Sequence, residues 1–217
     1  MWQTLFASLA DKNFMIVAVA EEGLGADAAR PWIEQAAPTY WSLIDREHRL
    51  AALYSMVNVP QCVWIDETGR IVRGPETTGS SDHFRKMDLA TRTLAPELME
   101  ARLTARSRYM DAIRDWVLTG NHALPADKAR AALPKITPDI AQAHAHFRLG
   151  NELVRKGEIG EGTEHLKEAS RLHPDSWNMW RQTAEFDSAG SASGPAFWQR
   201  VNALGDRPYY IQPDLPA

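Results

Sequence analysis

Strand-like patterning stops before the middle of this chain. Up to about residue 73, short β-branched apolar runs alternate with helical stripes. After the loop Gly74 to Asp82, GPETTGSSD, no strand-like run recurs. That change restricts the architecture more than any figure of composition. Alternating strands and helices pack as an α/β layer with a largely parallel sheet, whereas an unbroken series of helices must pack helix on helix. The chain therefore reads as an α/β unit followed by an all-helical region, and 217 residues are enough for both.

Within the first part, Trp2, Leu5, Phe6 and Leu9 form a helical stripe. Asn13 to Ala20, with the apolar run FMIVAVA, reads as a strand buried on both faces. Ala26 to Ala36 is a helix interrupted by Pro31, Thr39 to Ile44 a strand, and Glu47 to Met56 a helix. Gln61 to Ile65 and Arg70 to Arg73 are strands joined by the turn Asp66-Glu67-Thr68-Gly69, so the sheet closes on a hairpin. Asp45 and Asp66 end strands and are expected to cap turns.

FMIVAVA is far too short to span a bilayer. The opening MWQTLFASLADK has neither a basic segment nor a cleavage site of a signal peptide, so the chain as given reads as cytoplasmic. A net charge of −4 with both signs interspersed gives no electrostatic case for nucleic acid. The eight tryptophans, among them Trp32, Trp41, Trp64, Trp177, Trp180 and Trp198, are expected to fill core and helix interfaces.

A long helix follows over Ala95 to Thr119, stopped by Gly120-Asn121, and a proline-punctuated connector runs from Leu124 to Pro138 with a short helix near Asp127 to Ala132. From Ile140 the pattern is helix and turn only. Ala143 to Ser176 carries Leu149, Gly150, Leu153, Gly162, Leu166, Ala169 and Pro174 at the places a 34-residue helical repeat needs. Small residues at Gly150, Gly162 and Ala169 let two antiparallel helices approach, leucines fill the seam, and the proline ends the second helix. The segment resembles a tetratricopeptide repeat, with Trp180 opening a second, degenerate unit that Asp187 and Gly190 to Gly194 interrupt. The tail RPYYIQPDLPA is expected to lie along the protein surface, with a partner-binding strip at Tyr209-Tyr210 as the alternative. The expected parts are residues 1–80, 81–137 and 138–217.

The order FMIVAVA, ARPWIEQ, a strand ending LIDRE, LAALYSMVNVP and CVWIDETGRIVR is similar to thioredoxin-like redoxins of the TlpA and ResA type. The resemblance implies a thioredoxin-like fold and exchange of disulfides with partner proteins. It also implies a cis bond before Pro60 and a substrate-facing backbone at Val59. These two residues are the only site it transfers. The family's Trp-Cys-x-x-Cys, its leading strand and the start of its first helix have no counterpart here, so the unit is expected to be incomplete. No catalytic residue, cofactor or metal ligand is assigned to this chain. An upstream redox pair holding cysteine or selenocysteine, in a longer product acting outside the cytoplasm, is one expectation. A redox-inactive binding scaffold is the other. A sheet lacking a strand is expected to gain cover from the helical half or from a homodimer.

The single cysteine, Cys62, excludes an internal disulfide and a cysteine zinc site. Two residues beyond Pro60 in an apolar strand, it reads as a core residue with a raised pKa and no cationic neighbour. His144 and His146 lie on different faces of a helix, while His165 can approach either across the hairpin. His48 and His83 are expected to be solvated. Glu21-Glu22, at the end of a strand where α/β sheets bind ligands, reads as a solvated connector.

Overall fold

The computed structural model describes residues 1–186 and 192–215, and among them strands are confined to residues 17–77. The chain is mixed α/β followed by helices. Asp187 and Gly190, expected to interrupt a second repeat, lie outside the described residues. Two units divide the chain. The first comprises Met1–Tyr54, Cys62–Leu133 and Tyr210–Ala217, and the second Ser55–Gln61 and Pro134–Tyr209. The long helix and the tail thus belong with the α/β part.

The first unit runs α1 (Trp2–Ser8), β1 (Val17–Ala20), α2 (Ala26–Ala36), β2 (Trp41–Ile44) and α3 (Arg49–Leu53). The strands β3 (Gln61–Ile65) and β4 (Ile71–Thr77) follow, then a 3-10 turn at Asp82–Lys86, α4 (Pro96–Thr119) and α5 (Ala126–Ala131). β1 and β2 pair in parallel, from Val17 opposite Trp41 to Ala20 opposite Ile44. β3 and β4 form a separate two-stranded sheet. The Asp66 carboxylate fixes their turn by accepting from the amides of Thr68 and Arg70, both at 2.9 Å. Asp45 likewise starts α3, accepting from the Arg49 and Leu50 amides at 2.9 and 2.7 Å. α3 is shorter than the expected Glu47 to Met56 because His48 takes a left-handed backbone, φ 51°, ahead of it.

β1 is not buried on both faces. α2 lies along the face carrying Ala18, Ala20 and Ser42. On the opposite face Val17 is 53% exposed and its cross-strand neighbour Trp41 64% exposed. A parallel strand is buried twice only where helices cover both faces, and here one face has its cover. Trp41, expected in the core, is exposed for the same reason, and Trp32 of α2 is 68% exposed as well. The core of this unit lies instead where Leu5 of α1 and Leu9 just past its end meet Trp64 of β3 and Tyr109, Met110 and Ile113 of α4. α1 also reaches the segment that leads into β2: its Phe6 ring sits 5.6 Å from Tyr40, and Gln3 accepts from the Thr39 amide at 2.7 Å.

β4 runs past the expected end at Arg73, through Gly74 and Pro75 to Thr77. Tertiary packing overrides the loop-like composition. Leu124 donates to the Val72 carbonyl at 3.0 Å, and the bare Cα of Gly74 faces Leu133 and Ala132. At Gly79, φ +71°, a Cβ would stand 2.7 Å from the Arg106 Cα, so only glycine lets this loop lie on α4. The tail lies down on the same unit, as expected. Tyr210 donates its amide to Asp82 at 2.7 Å, Gln212 donates to the Ser80 carbonyl at 2.9 Å, and Leu215 packs against the core.

The second unit contains α6 (Pro138–Arg155), α7 (Ile159–Leu172), α8 (Trp177–Arg181) and α9 (Pro195–Asn202). Thr137 caps α6 by accepting from the Ile140 amide. α6 and α7 form an antiparallel hairpin closed at Gly150 and Gly162, where a Cβ on either would meet the other's carbonyl oxygen at 2.8 Å. Ala143, Phe147, Leu166, Ala169 and Met179 fill the seam. Leu149, expected there, is 46% exposed because the glycine beside it occupies the contact. Trp177, Trp180, Phe197, Trp198 and Tyr209 make a second, aromatic cluster.

Candidate functional site

In the second unit, the segment bearing Val59 and Pro60 is held in place by its neighbours. The Gln61 side-chain oxygen accepts from the Val57 and Asn58 amides at 2.9 and 3.2 Å. The Val57 carbonyl accepts from the first amides of α8, Trp177 at 2.7 Å and Asn178 at 3.1 Å. Asn58 is buried, and its side-chain oxygen accepts from the Val59 amide at 2.9 Å and from Arg181 at 3.1 Å. The Tyr209 hydroxyl joins Arg181 and Asn58. Tyr209 is therefore a buried brace, whereas Tyr210 is half-buried and donates its backbone amide to Asp82. The Val59–Pro60 bond is cis. Val59 and Pro60 themselves are exposed, Val59 by 42%. A buried polar anchor thus presents a short apolar edge to solvent.

In the first unit, Cys62 and Trp64 point to the same side of β3, as strand alternation requires, and meet one hydroxyl. The Cys62 Sγ lies 2.7 Å from the Tyr109 Oη, and the Trp64 indole N–H donates to the same oxygen at 2.9 Å. Tyr109 donates onward to Glu76 at 2.9 Å. Arg73 completes the chain through its Nε, 2.9 Å from the Glu76 Oε1. Its remaining donors reach the carbonyls of His122 and Asp214 at 3.1 and 3.0 Å. Its guanidinium also lies over the Trp64 ring. One buried arginine therefore ties β4, the loop after α4 and the tail together.

The network decides what Cys62 can do. Burial pushes its thiol up to about 12, and the nearby Glu76 charge adds to this. Bonds from Tyr109 and Trp64 and the charge of Arg73 pull the other way without prevailing. Arg73 corrects the expectation of no cationic neighbour, while Glu76 neutralises it at close range. Burial also raises the Tyr109 hydroxyl, and the charges of Cys62 and Glu76 reinforce it. Both groups stay protonated at neutral pH, each with a hydrogen-bond partner. A thiol without thiolate is neither nucleophile nor ligand.

Two further expectations need correction. His48 is not solvated: it is 5% exposed, with its Nδ1 3.5 Å from the Glu21 carboxylate, whose side chain is 9% exposed. The Glu21-Glu22 connector is therefore half interior, and only Glu22 serves a local turn, accepting from the Leu24 amide. His83 meets Ser81 at 3.0 Å. Of the repeat histidines, His165 approaches His146, and His144 approaches His173. Sequence reasoning missed Arg73, Glu76, Tyr109 and Asn58, whose partners lie up to 151 residues away.

In comparisons with protein-family models, curated proteins and solved structures, nothing matches this chain.

Proposed function

We propose that this chain is the substrate-side portion of a TlpA-like thiol (or selenol) disulfide oxidoreductase. Its redox pair and one further strand would come from residues outside the chain. The observation that carries this reading is the division of the strands. Among the described residues β1 pairs with β2 only and β3 with β4 only, yet α1 touches both Trp64 of β3 and Tyr40, which leads into β2. One extended segment between β1 and β3 would join them into a continuous sheet and remove two open edges. The exposed Val59-Pro60 edge supports the same reading, since disulfide exchange needs backbone accessible to a partner protein. Cys62 takes no part, and the chain alone is expected to be inactive. The α6–α7 hairpin, read as a tetratricopeptide-like repeat, would hold the partner or substrate protein.

The DNA upstream of Met1 tests this in the same reading frame. A Trp-x-x-Cys-x-x-Cys, or a TGA codon at one of those cysteines, supports it. An ordinary in-frame stop with a ribosome-binding site just before Met1 overturns it in favour of a redox-inactive scaffold. Hydrogen exchange gives an independent reading. The amides of Val17 to Ala20 should exchange faster in this chain than in an upstream-extended product, and strong protection in a monomer of this chain would argue against a missing strand.

A further inference from the structure

His146 of α6 and His165 of α7 face each other with their Nδ1 atoms 2.8 Å apart, ring centroids 5.0 Å apart and planes 38° from parallel. Both are half-buried. That contact holds one proton: one Nδ1–H donates and the other Nδ1 accepts. Beside it, the Gly150–Gly162 closure fixes the spacing of the two helices. Two imidazole nitrogens thus face each other from two braced helices.

We propose that His146 and His165 form a two-nitrogen site for a divalent transition-metal ion. The two Nδ1 atoms are the ligands and water fills the remaining positions. The ion replaces the shared proton: the donor ring gives up its Nδ1 proton and takes one from water on its bare Nε2, so both rings end neutral with Nε2 protonated and no net proton is released. Zinc–nitrogen bonds of about 2.0–2.1 Å in tetrahedral geometry place two ligand nitrogens about 3.3 Å apart. The present contact needs to open by roughly half an ångström to reach that spacing, a change within side-chain torsions. Imidazole suits zinc, copper and nickel, which sets the class of ion. Glu168, one turn beyond His165, lies close enough to feel the charge of His146 and adds a favourable negative field. Its carboxylate is already held by Arg171 at 2.6 and 2.7 Å, so it stays outside the coordination sphere. Among the described residues no group of three such ligands converges, so the site is weaker than a four-ligand structural centre. His144 and His173, 6.3 Å apart between ring centroids, make no such nitrogen contact and serve as an internal control.

Titration calorimetry of the whole chain with zinc chloride at pH 7.5 tests the proposal. One ion per chain is expected, with affinity falling at least about tenfold in His146→Ala and in His165→Ala and unchanged in His144→Ala. Circular dichroism of each variant checks that the helices persist. Long-range proton–nitrogen spectra of the unsubstituted chain provide a readout independent of any variant: zinc should move the Nδ1 resonances of both histidines and leave Nε2 protonated. No zinc binding, equal binding by the double variant, or coordination through Nε2 would each overturn the site.

Discussion

Two glycines in one helix should respond with opposite signs to the same substitution. Gly162 and Gly160 both lie in α7, and Ala raises helix propensity by up to about 1 kcal/mol at either. At Gly160 an added Cβ meets nothing within 4 Å, so Gly160→Ala should be neutral to stabilising by that amount. At Gly162 the Cβ would stand 2.8 Å from the Gly150 carbonyl oxygen and 2.9 Å from the Val154 amide nitrogen. These are backbone atoms, so relief requires moving the helices apart. Overpacking of this kind costs about 3 kcal/mol at the upper end of its usual range. Less the propensity gain of about 1 kcal/mol, Gly162→Ala should destabilise the hairpin by roughly 2 kcal/mol. Hydrogen exchange of α6 and α7 peptides reads this locally, as a fall in protection of about 30-fold. Protection in Gly162→Ala equal to that in Gly160→Ala would refute close backbone approach as the basis of this seam.

Tyr109→Phe removes the oxygen that serves Cys62, Trp64 and Glu76 and leaves buried groups unpaired, each worth about 1–3 kcal/mol. A loss of about 3 kcal/mol in urea unfolding is expected. Cys62 in the folded chain should resist iodoacetamide at pH 8 and react fully in denaturant, because its raised pKa keeps it a thiol. The same shift contributes stability below the ordinary value of 9.0 that is lost as pH climbs toward 12, where the unfolded thiol ionises first. In the second unit burial depresses both His144 and His173, and at His173 the His144 charge adds to the effect. The unfolded chain therefore takes up protons first as pH falls through 6.5, and helical stability should drop from pH 7.5 to 5.5. His144→Gln should flatten that dependence, as followed by circular dichroism melting.

Legibility in the sequence followed the range of the interaction. β3 and its turn were readable because alternation and the Asp66-to-Gly69 signal are local, and Asp66 does cap that turn. The α6–α7 seam was readable because Gly150, Gly162 and Ala169 are spaced by helix geometry itself. β1 misled: FMIVAVA has the composition of a strand buried twice, but composition does not say whether a second layer is present. β4 misled in the other direction, since Gly74 and Pro75 look like loop residues until α5 packs against them. At the candidate site, Val59 and Pro60 came from a local motif. Their anchors, Tyr209 and Arg181, lie far along the chain and carry no signal that pairs them with Asn58. The same holds for Tyr109, without which Cys62 had no visible partner.

The most direct measurement is insulin reduction by the product of the reading frame extended upstream of Met1, beside the chain itself. The expected result is turnover by the extended protein that persists in its Cys62→Ser variant, with none from the chain alone. Turnover by the chain alone that disappears in Cys62→Ser would contradict the reading of Cys62 as a partly buried thiol packed against the core and held protonated. An extended protein without activity would contradict the proposed oxidoreductase.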